Sequence, residues 1–230
     1  MCVPYPSISP LGSASPTRLP GELKVISVEM PGDADKHAWR IEIKARRLAI
    51  TPEEHAAEAM GLVSAMRALR PRGWVCAYVP VGDEPGSTAM LDALRAAHAR
   101  VLLPITGAPG PLLWSEYEGR NSLRRAKFGL LEPTGATLPA SAVGWAELIL
   151  VPALAVDRRG VRLGRGAGYY DRTLAAARPD ARLVAVVRDD EVVDKLPEEP
   201  HDLRMGWALT PRGGLLRLGD GDQGDTTAAE

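Results

Sequence analysis

Apolar and polar positions change rhythm many times along the chain, and each change marks an element. A helix is predicted from about Ala34 to Leu48, with Asp33 or Asp35 near its N-terminus. Thr51-Pro52-Glu53-Glu54 then reads as a helix start, with Thr51 as N-cap, Pro52 in the first turn and Glu54 closing a capping box. Met60, Val63, Met66 and Leu69 recur at helical spacing, which predicts core packing. The apolar run Trp74 to Val79, stopped by Pro80, predicts a buried strand. A helix is expected over Ser87 to Ala99, a strand over Arg100 to Leu103, and loops with short strands over 107–147. Further strands are predicted at Glu147–Val151, Arg182–Val187 and Trp207–Leu209, with a helix over Gly168–Arg178. Helix and strand alternate, so the expected fold is a single three-layer α/β domain whose mostly parallel sheet is flanked by helices.

The ends of the chain have a different character. Residues 1–33 are rich in Pro, Ser and Gly without periodicity and read as a disordered leader. Met30 is one candidate for the physiological start; a genuine extension is the alternative. The domain is expected over 34–212, followed by a frayed tail over 213–230. No internal repeats, heptads or zinc-type Cys/His spacings interrupt this plan.

Charge narrows the partners. Lys plus Arg total 28 and Asp plus Glu 29, a formal net charge of −1. That balance argues against broad nucleic-acid binding while allowing a local cationic pocket. Cys2 falls in the leader and Cys76 in a predicted strand, which argues against a disulfide. No apolar run approaches the ~18 residues of a membrane span, and no secretory signal pattern opens the chain. A cytoplasmic protein acting on small molecules is expected. A monomer is expected, with a dimer left open.

The densest chemistry lies in Arg162-Leu163-Gly164-Arg165-Gly166-Ala167-Gly168-Tyr169-Tyr170-Asp171-Arg172. Alternating glycines let backbone N–H groups converge on an anion without interference from Cβ atoms. The helix predicted after Gly168 would point its positive end at the same place. Arg162 and Arg165 add forked donors suited to phosphate, and Asp171 is placed to hold a metal beside it. The run is not a Walker A loop, because no Gly-Lys-Ser/Thr follows, and no spacing in it gives the dinucleotide fingerprint. A plain glycine-rich turn is the structural alternative.

This stretch, from Val151 through Asp157 and Gly160 to Arg172, resembles the phosphate loop of the 5-formyltetrahydrofolate cyclo-ligase (methenyltetrahydrofolate synthetase) family. The resemblance runs from about Lys36 to Thr210, with its segments in the family's order. It implies a Rossmann-like scaffold of the sugar-isomerase and CoA-transferase type. It also implies that ATP phosphates are held by Lys36 and Arg40, one helical turn apart. The same role is implied for the loop residues Arg162, Leu163, Gly164, Arg165, Gly166, Ala167, Gly168, Tyr169 and Tyr170. Folate is implied to meet Val79 and Glu84 in Tyr78-Val79-Pro80-Val81-Gly82-Asp83-Glu84, Trp114 in Leu113-Trp114-Ser115, and Arg165 through Tyr169. Asp171 and the Asp202 of Pro200-His201-Asp202 are implied to bind Mg²⁺. From the residues alone, Lys36 and Arg40 could be a solvated basic face, Asp83 a turn residue, Trp114 core packing and Asp202 a cap. Asp189 and Asp190 compete with Asp202 for the metal role. His37 and His55 read as solvent-facing, and Phe128 as local packing.

The implied reaction closes 5-formyltetrahydrofolate to 5,10-methenyltetrahydrofolate, with ATP consumed and ADP and phosphate released. Arg165, the loop amides and Mg²⁺ are implied to carry the transferring phosphoryl group, with Arg165 catalytic. Ala167 stands where some members of the family carry a lysine, so that cation is missing here. The competing readings are a non-catalytic folate- or nucleotide-binding regulator on the same scaffold, and an isomerase or acyl-CoA transferase on a related one.

Overall fold

The computed structural model describes residues 35–105, 107, 110–126, 129–200 and 202–219. The expected leader over 1–33, Phe128 and His201 lie outside the described residues. In chain order the helices are α1 (Lys36–Leu48), α2 (Pro52–Leu69), α3 (Ala89–Ala96) and α4 (Tyr169–Leu174). The strands are β1 (Gly73–Cys76), β2 (Ala99–Ile105), β3 (Leu113–Glu116), β4 (Leu123–Arg125), β5 (Leu131–Pro133) and β6 (Leu148–Pro152). They continue with β7 (Ala155–Asp157), β8 (Arg162–Leu163), β9 (Arg182–Val186), β10 (Val192–Val193), β11 (Trp207–Thr210) and β12 (Gly214–Arg217).

Local chemistry sets the helix starts. The Asp35 carboxylate accepts from the Ala38 N–H at 2.8 Å and caps α1. Thr51 and Glu54 exchange both bonds of the capping box at the head of α2, with Pro52 where its missing N–H costs nothing. Leu62, Met66 and Leu69 form the buried stripe of α2, at i, i+4 and i+7. Met60 was expected in that stripe but is 71% exposed, because two residues before Leu62 lies on the far side of the helix.

The main sheet has the order β12-β11-β9-β6-β1-β2-β3. Its five inner strands are parallel and its two edge strands antiparallel. Strand alternation divides it cleanly. Val75, Val101, Leu103, Leu148, Leu150 and Val184 face one cluster with α2 and α3. Cys76, Leu102, Ile149, Val151 and Ala185 face the other, with Leu174 of α4 and Ala142 and Val143 of a 3₁₀ turn. The expected three-layer fold is the observed one.

A second, smaller sheet, β10-β7-β8, takes α1 onto its surface, and Trp39 and Ile43 pack there on Leu154, Val161 and Leu163. Strands of two or three residues show no period, so this sheet was not expected from the sequence, whereas the β4–β5 hairpin falls among the short strands expected over 107–147. Two further expectations are corrected. α4 stops at Leu174, since Ala176 and Ala177 bond back three residues, to Thr173 and Leu174, in tighter turns. The tail does not fray at 213, because Gly214–Arg217 pairs with β11 as the edge strand; residues 220–230 lie outside the described residues.

The turn from β7 to β8 delivers the glycine-rich loop, and Gly160 fixes it. Gly160 has φ +91°, and a Cβ there would stand 2.3 Å from the Met205 carbonyl oxygen. Gly160→Ala is expected to cost roughly 2–4 kcal/mol of stability through strain and backbone collision, read as a lower urea midpoint at constant m.

Candidate active site

The carboxyl ends of β1 and β6 meet the segment after β8 around a cleft of about 330 Å³, the end of a parallel sheet where ligands bind. Gly164–Asp171 forms one wall. Tyr78, Val79, Val81 and Glu84 from the segment after β1 form another. Pro104, Leu112, Leu130, Leu131, Pro152 and Ala153 give it an apolar lining, and Glu132 adds a buried carboxylate.

The loop's shape comes from its glycines. Gly166 and Gly168 hold φ +99° and +68°, conformations that side chains resist. The Arg40 guanidinium packs against Gly166, its carbon 3.5 Å from where a Cβ would stand, and its Nε donates to the Gly164 carbonyl at 3.0 Å. Among the described residues, no backbone N–H from Arg165 to Gly168 donates to a main-chain or side-chain acceptor. Those amides are the available anion donors. The six-residue α4 adds little dipole, so the loop amides and arginines replace the longer helix expected behind them.

Charges of opposite sign meet across the cleft. Arg162, with 7% of its side chain exposed, forms a short ion pair with Asp171. Arg165 reaches over the cleft to Asp83 at 2.9 Å and Glu84 at 3.2 Å. Asp83 is therefore more than a turn residue. Burial raises the Glu84 carboxyl, against the Arg165 charge and a 3.0 Å bond from the Val81 N–H. His55, expected to face solvent, lies with Nε2 3.0 Å from the Glu84 carbonyl oxygen, because α2 carries it over this turn. A carbonyl only accepts, so Nε2 is the protonated nitrogen of that contact.

The remaining expected residues divide. Val79, Arg162, Ala167, Tyr169 and Tyr170 line the cleft. The Leu163 side chain does not; strand alternation turns it into the cluster under α1. Lys36 does not share an anion with Arg40 in this structure. Its ammonium donates to Asp202 at 2.7 Å and Glu199 at 2.8 Å, while Arg40 turns to the loop. Asp202, expected to hold a metal, pairs with Lys36 and accepts from the Glu199 N–H at 2.8 Å, and it does not line the cleft. Asp189 instead binds Thr210 and Gly213 in the β11–β12 turn.

Trp114 is corrected outright. It is fully buried in the core beside the 3₁₀ turn, and its backbone exchanges two hydrogen bonds with Leu138, so its ring cannot face a ligand in the cleft. Alternation puts Leu113 outside and Trp114 inside. Arg172 folds back to donate to the Ala167 carbonyl at 2.9 Å, with its guanidinium 5.5 Å from the Tyr169 ring. The apolar lining leaves no signal in the sequence, since isolated prolines and leucines at strand ends carry no pattern.

Among the described residues, no cluster of three or more His, Cys, Asp or Glu is placed to hold a metal ion. Asp171, on the loop wall of the cleft, still suits Mg²⁺, which takes one or two protein carboxylates and completes its shell with water and phosphate.

A sequence profile of the 5-formyltetrahydrofolate cyclo-ligase family matches residues 33–211. A protein of Mycolicibacterium smegmatis named 5-formyltetrahydrofolate cyclo-ligase is 54% identical over 162 residues, 64% of this chain and 83% of the relative. The Escherichia coli K12 protein of that name is 29% identical over 177 residues, 74% of this chain and 96% of its own. In the NMR structure of Aquifex aeolicus 5,10-methenyltetrahydrofolate synthetase the same fold recurs, with TM-score 0.68 and 24% identity, covering 84% of this chain and 97% of that one. Among the described residues, no helix is long and apolar enough to cross a membrane.

Proposed function

The chain belongs to the 5-formyltetrahydrofolate cyclo-ligase family, and on that footing we propose that it uses ATP and Mg²⁺ to close 5-formyltetrahydrofolate to 5,10-methenyltetrahydrofolate. The formyl oxygen takes the γ-phosphoryl group and ADP leaves. N10 of the same folate then attacks the activated carbon, loses its proton, and phosphate departs. Every covalent step lies between the two substrates, so the protein's task is alignment and charge neutralisation.

The loop amides of Arg165 to Gly168 receive the terminal phosphates. Arg165 stands beside Glu84, where folate and nucleotide would meet, and stabilises the transferring group. Arg162 and Arg40 hold the rest of the triphosphate from the back of the loop. Arg162 must exchange its bond to Asp171 for phosphate oxygens, which frees Asp171 toward Mg²⁺. When bound, Mg²⁺ neutralises phosphate charge and fixes its geometry. Lys36 and Asp202, joined to each other, act as a pair at the outer end of α1. Val79 and Tyr169 border the folate, and Glu84 accepts its ring N–H groups. The same reading has the enzyme work as a monomer in the cytoplasm.

The observation that carries this reading is the cleft wall where Arg165 spans from the glycine-rich loop to Glu84, joining the expected phosphate and pterin ends. Incubating the full chain with 5-formyltetrahydrofolate, ATP and Mg²⁺ should give methenyl absorbance together with ADP and phosphate in equal amounts. Omitting ATP or adding excess chelator should abolish it. Product formed without ATP, or none with the complete mixture, would sink the reading.

A further inference from the structure

Seven buried side-chain nitrogen or oxygen atoms lack a hydrogen-bond partner among the described residues, and three of them belong to residues lining the cleft: Tyr78 Oη, Tyr170 Oη and Arg162 Nε. Tyr78 is the most enclosed of the three residues, at 4% exposure. It follows β1 directly, and Val79 and Glu84 on the same segment line the cleft with it. Its ring packs in the core against residues of the α2–α3 face. A phenylalanine would satisfy that packing as well. An unpartnered buried hydroxyl costs stability, so its presence at a cleft calls for a polar group from outside the chain.

The surroundings say which polar group. Glu84 lines the cleft with Tyr78 and Val79, its carboxylate paired with Arg165 of the loop and otherwise set among apolar residues. A carboxylate accepts ring N–H groups but has nothing to give a carbonyl oxygen beside them. A phenol supplies that missing donor. We propose that Tyr78 is a specificity residue for the folate, its hydroxyl donating to the ring carbonyl of the pterin while Glu84 accepts the adjacent N–H groups. This rests on the cyclo-ligase reading above. Together the two side chains read an N–H donor next to a carbonyl acceptor on one ring edge, a pattern no nucleotide phosphate presents.

Tyr78→Phe in the full chain tests it. Calorimetry with 5-formyltetrahydrofolate alone, without ATP, is expected to show affinity weakened about five- to tenfold, the loss of one neutral hydrogen bond. KM for the folate should rise by a similar factor, while kcat and KM for ATP stay within about twofold. The melting temperature should hold or rise, because an unpartnered hydroxyl has been removed. Unchanged folate affinity in the variant would overturn the assignment. So would a fall in melting temperature with equal losses for folate and ATP, which marks the hydroxyl as structural. If the unaltered chain neither binds nor converts the folate, the cyclo-ligase reading itself falls and this one with it.

Discussion

Arg165→Ala is expected to lower kcat by roughly 100- to 1000-fold with the fold intact, the usual loss for one transition-state donor. The side chain is about half exposed, and its two ion pairs bridge separate walls of the cleft rather than anchoring the core. Pairs of that kind contribute little to stability, so urea unfolding should shift by less than about 1 kcal/mol. KM for ATP should move far less than kcat, because Arg162, Arg40 and the loop amides still hold the triphosphate. Arg165→Lys keeps the charge but loses the planar fork, and only partial recovery is expected. Burial already raises the Glu84 carboxyl, and removing the adjacent cation raises it further. The variant's folate affinity should therefore fail first on the acid side. Steady-state kinetics of the alanine variant with a near-normal kcat would remove Arg165 from the chemistry.

The largest stability effect is expected at Arg47. Its side chain is 1% exposed and that of Glu191 3%, and the two are joined by bonds of 2.6 and 2.8 Å. Arg47 also donates to the Ala153 carbonyl at 2.9 Å. Burial works against its charge, and the hydrogen bonds and charge of Glu191 overcome that penalty. Glu191 in turn accepts from the Arg188 N–H at 2.8 Å, and the Arg188 guanidinium reaches Glu58 at 2.8 Å and the Asp83 carbonyl at 3.0 Å. Arg47→Met leaves the Glu191 carboxylate buried without its main partner. The cost is expected at about 3–5 kcal/mol, a melting temperature lower by roughly 10 °C. Replacing both residues, Arg47→Met with Glu191→Leu, should recover much of that loss, since buried pairs gain little over apolar packing. Thermal unfolding of the single and double variants separates the cases. A double variant no better than the single would show that the network's other bonds, to Arg188 and Ala153, carry the stability.

Much of this was legible in the sequence, where a signal was local or periodic. Thr51 and Glu54 announced α2 through a capping chemistry that depends only on neighbours. The runs at 74, 147 and 182 were long enough to read as strands, and their alternation with helices gave the parallel sheet. The glycine-rich loop stood out because its composition has few other uses. Trp114 misled because a flat aromatic ring suits a core and a ligand equally, and only strand alternation decides between them. Leu163 stands inside the loop's motif with its side chain under α1, a direction the motif itself does not announce. The Arg47–Glu191 pair joins residues 144 apart in sequence, and such pairings leave no mark on a single chain. Tyr78 carries no local signal, since nothing in a sequence says whether a phenol will find a partner.

The outermost ribbon of the main sheet has a practical meaning for anyone trimming this protein. Composition invites a cut near residue 212, just ahead of the Gly214–Arg217 strand. Such a cut would uncover the ladder groups of Trp207–Thr210 and offer them to any neighbouring chain, an open template for sticking. Shortened versions should therefore keep the hairpin through Leu218, whose N–H closes onto the Gly206 carbonyl at 2.9 Å.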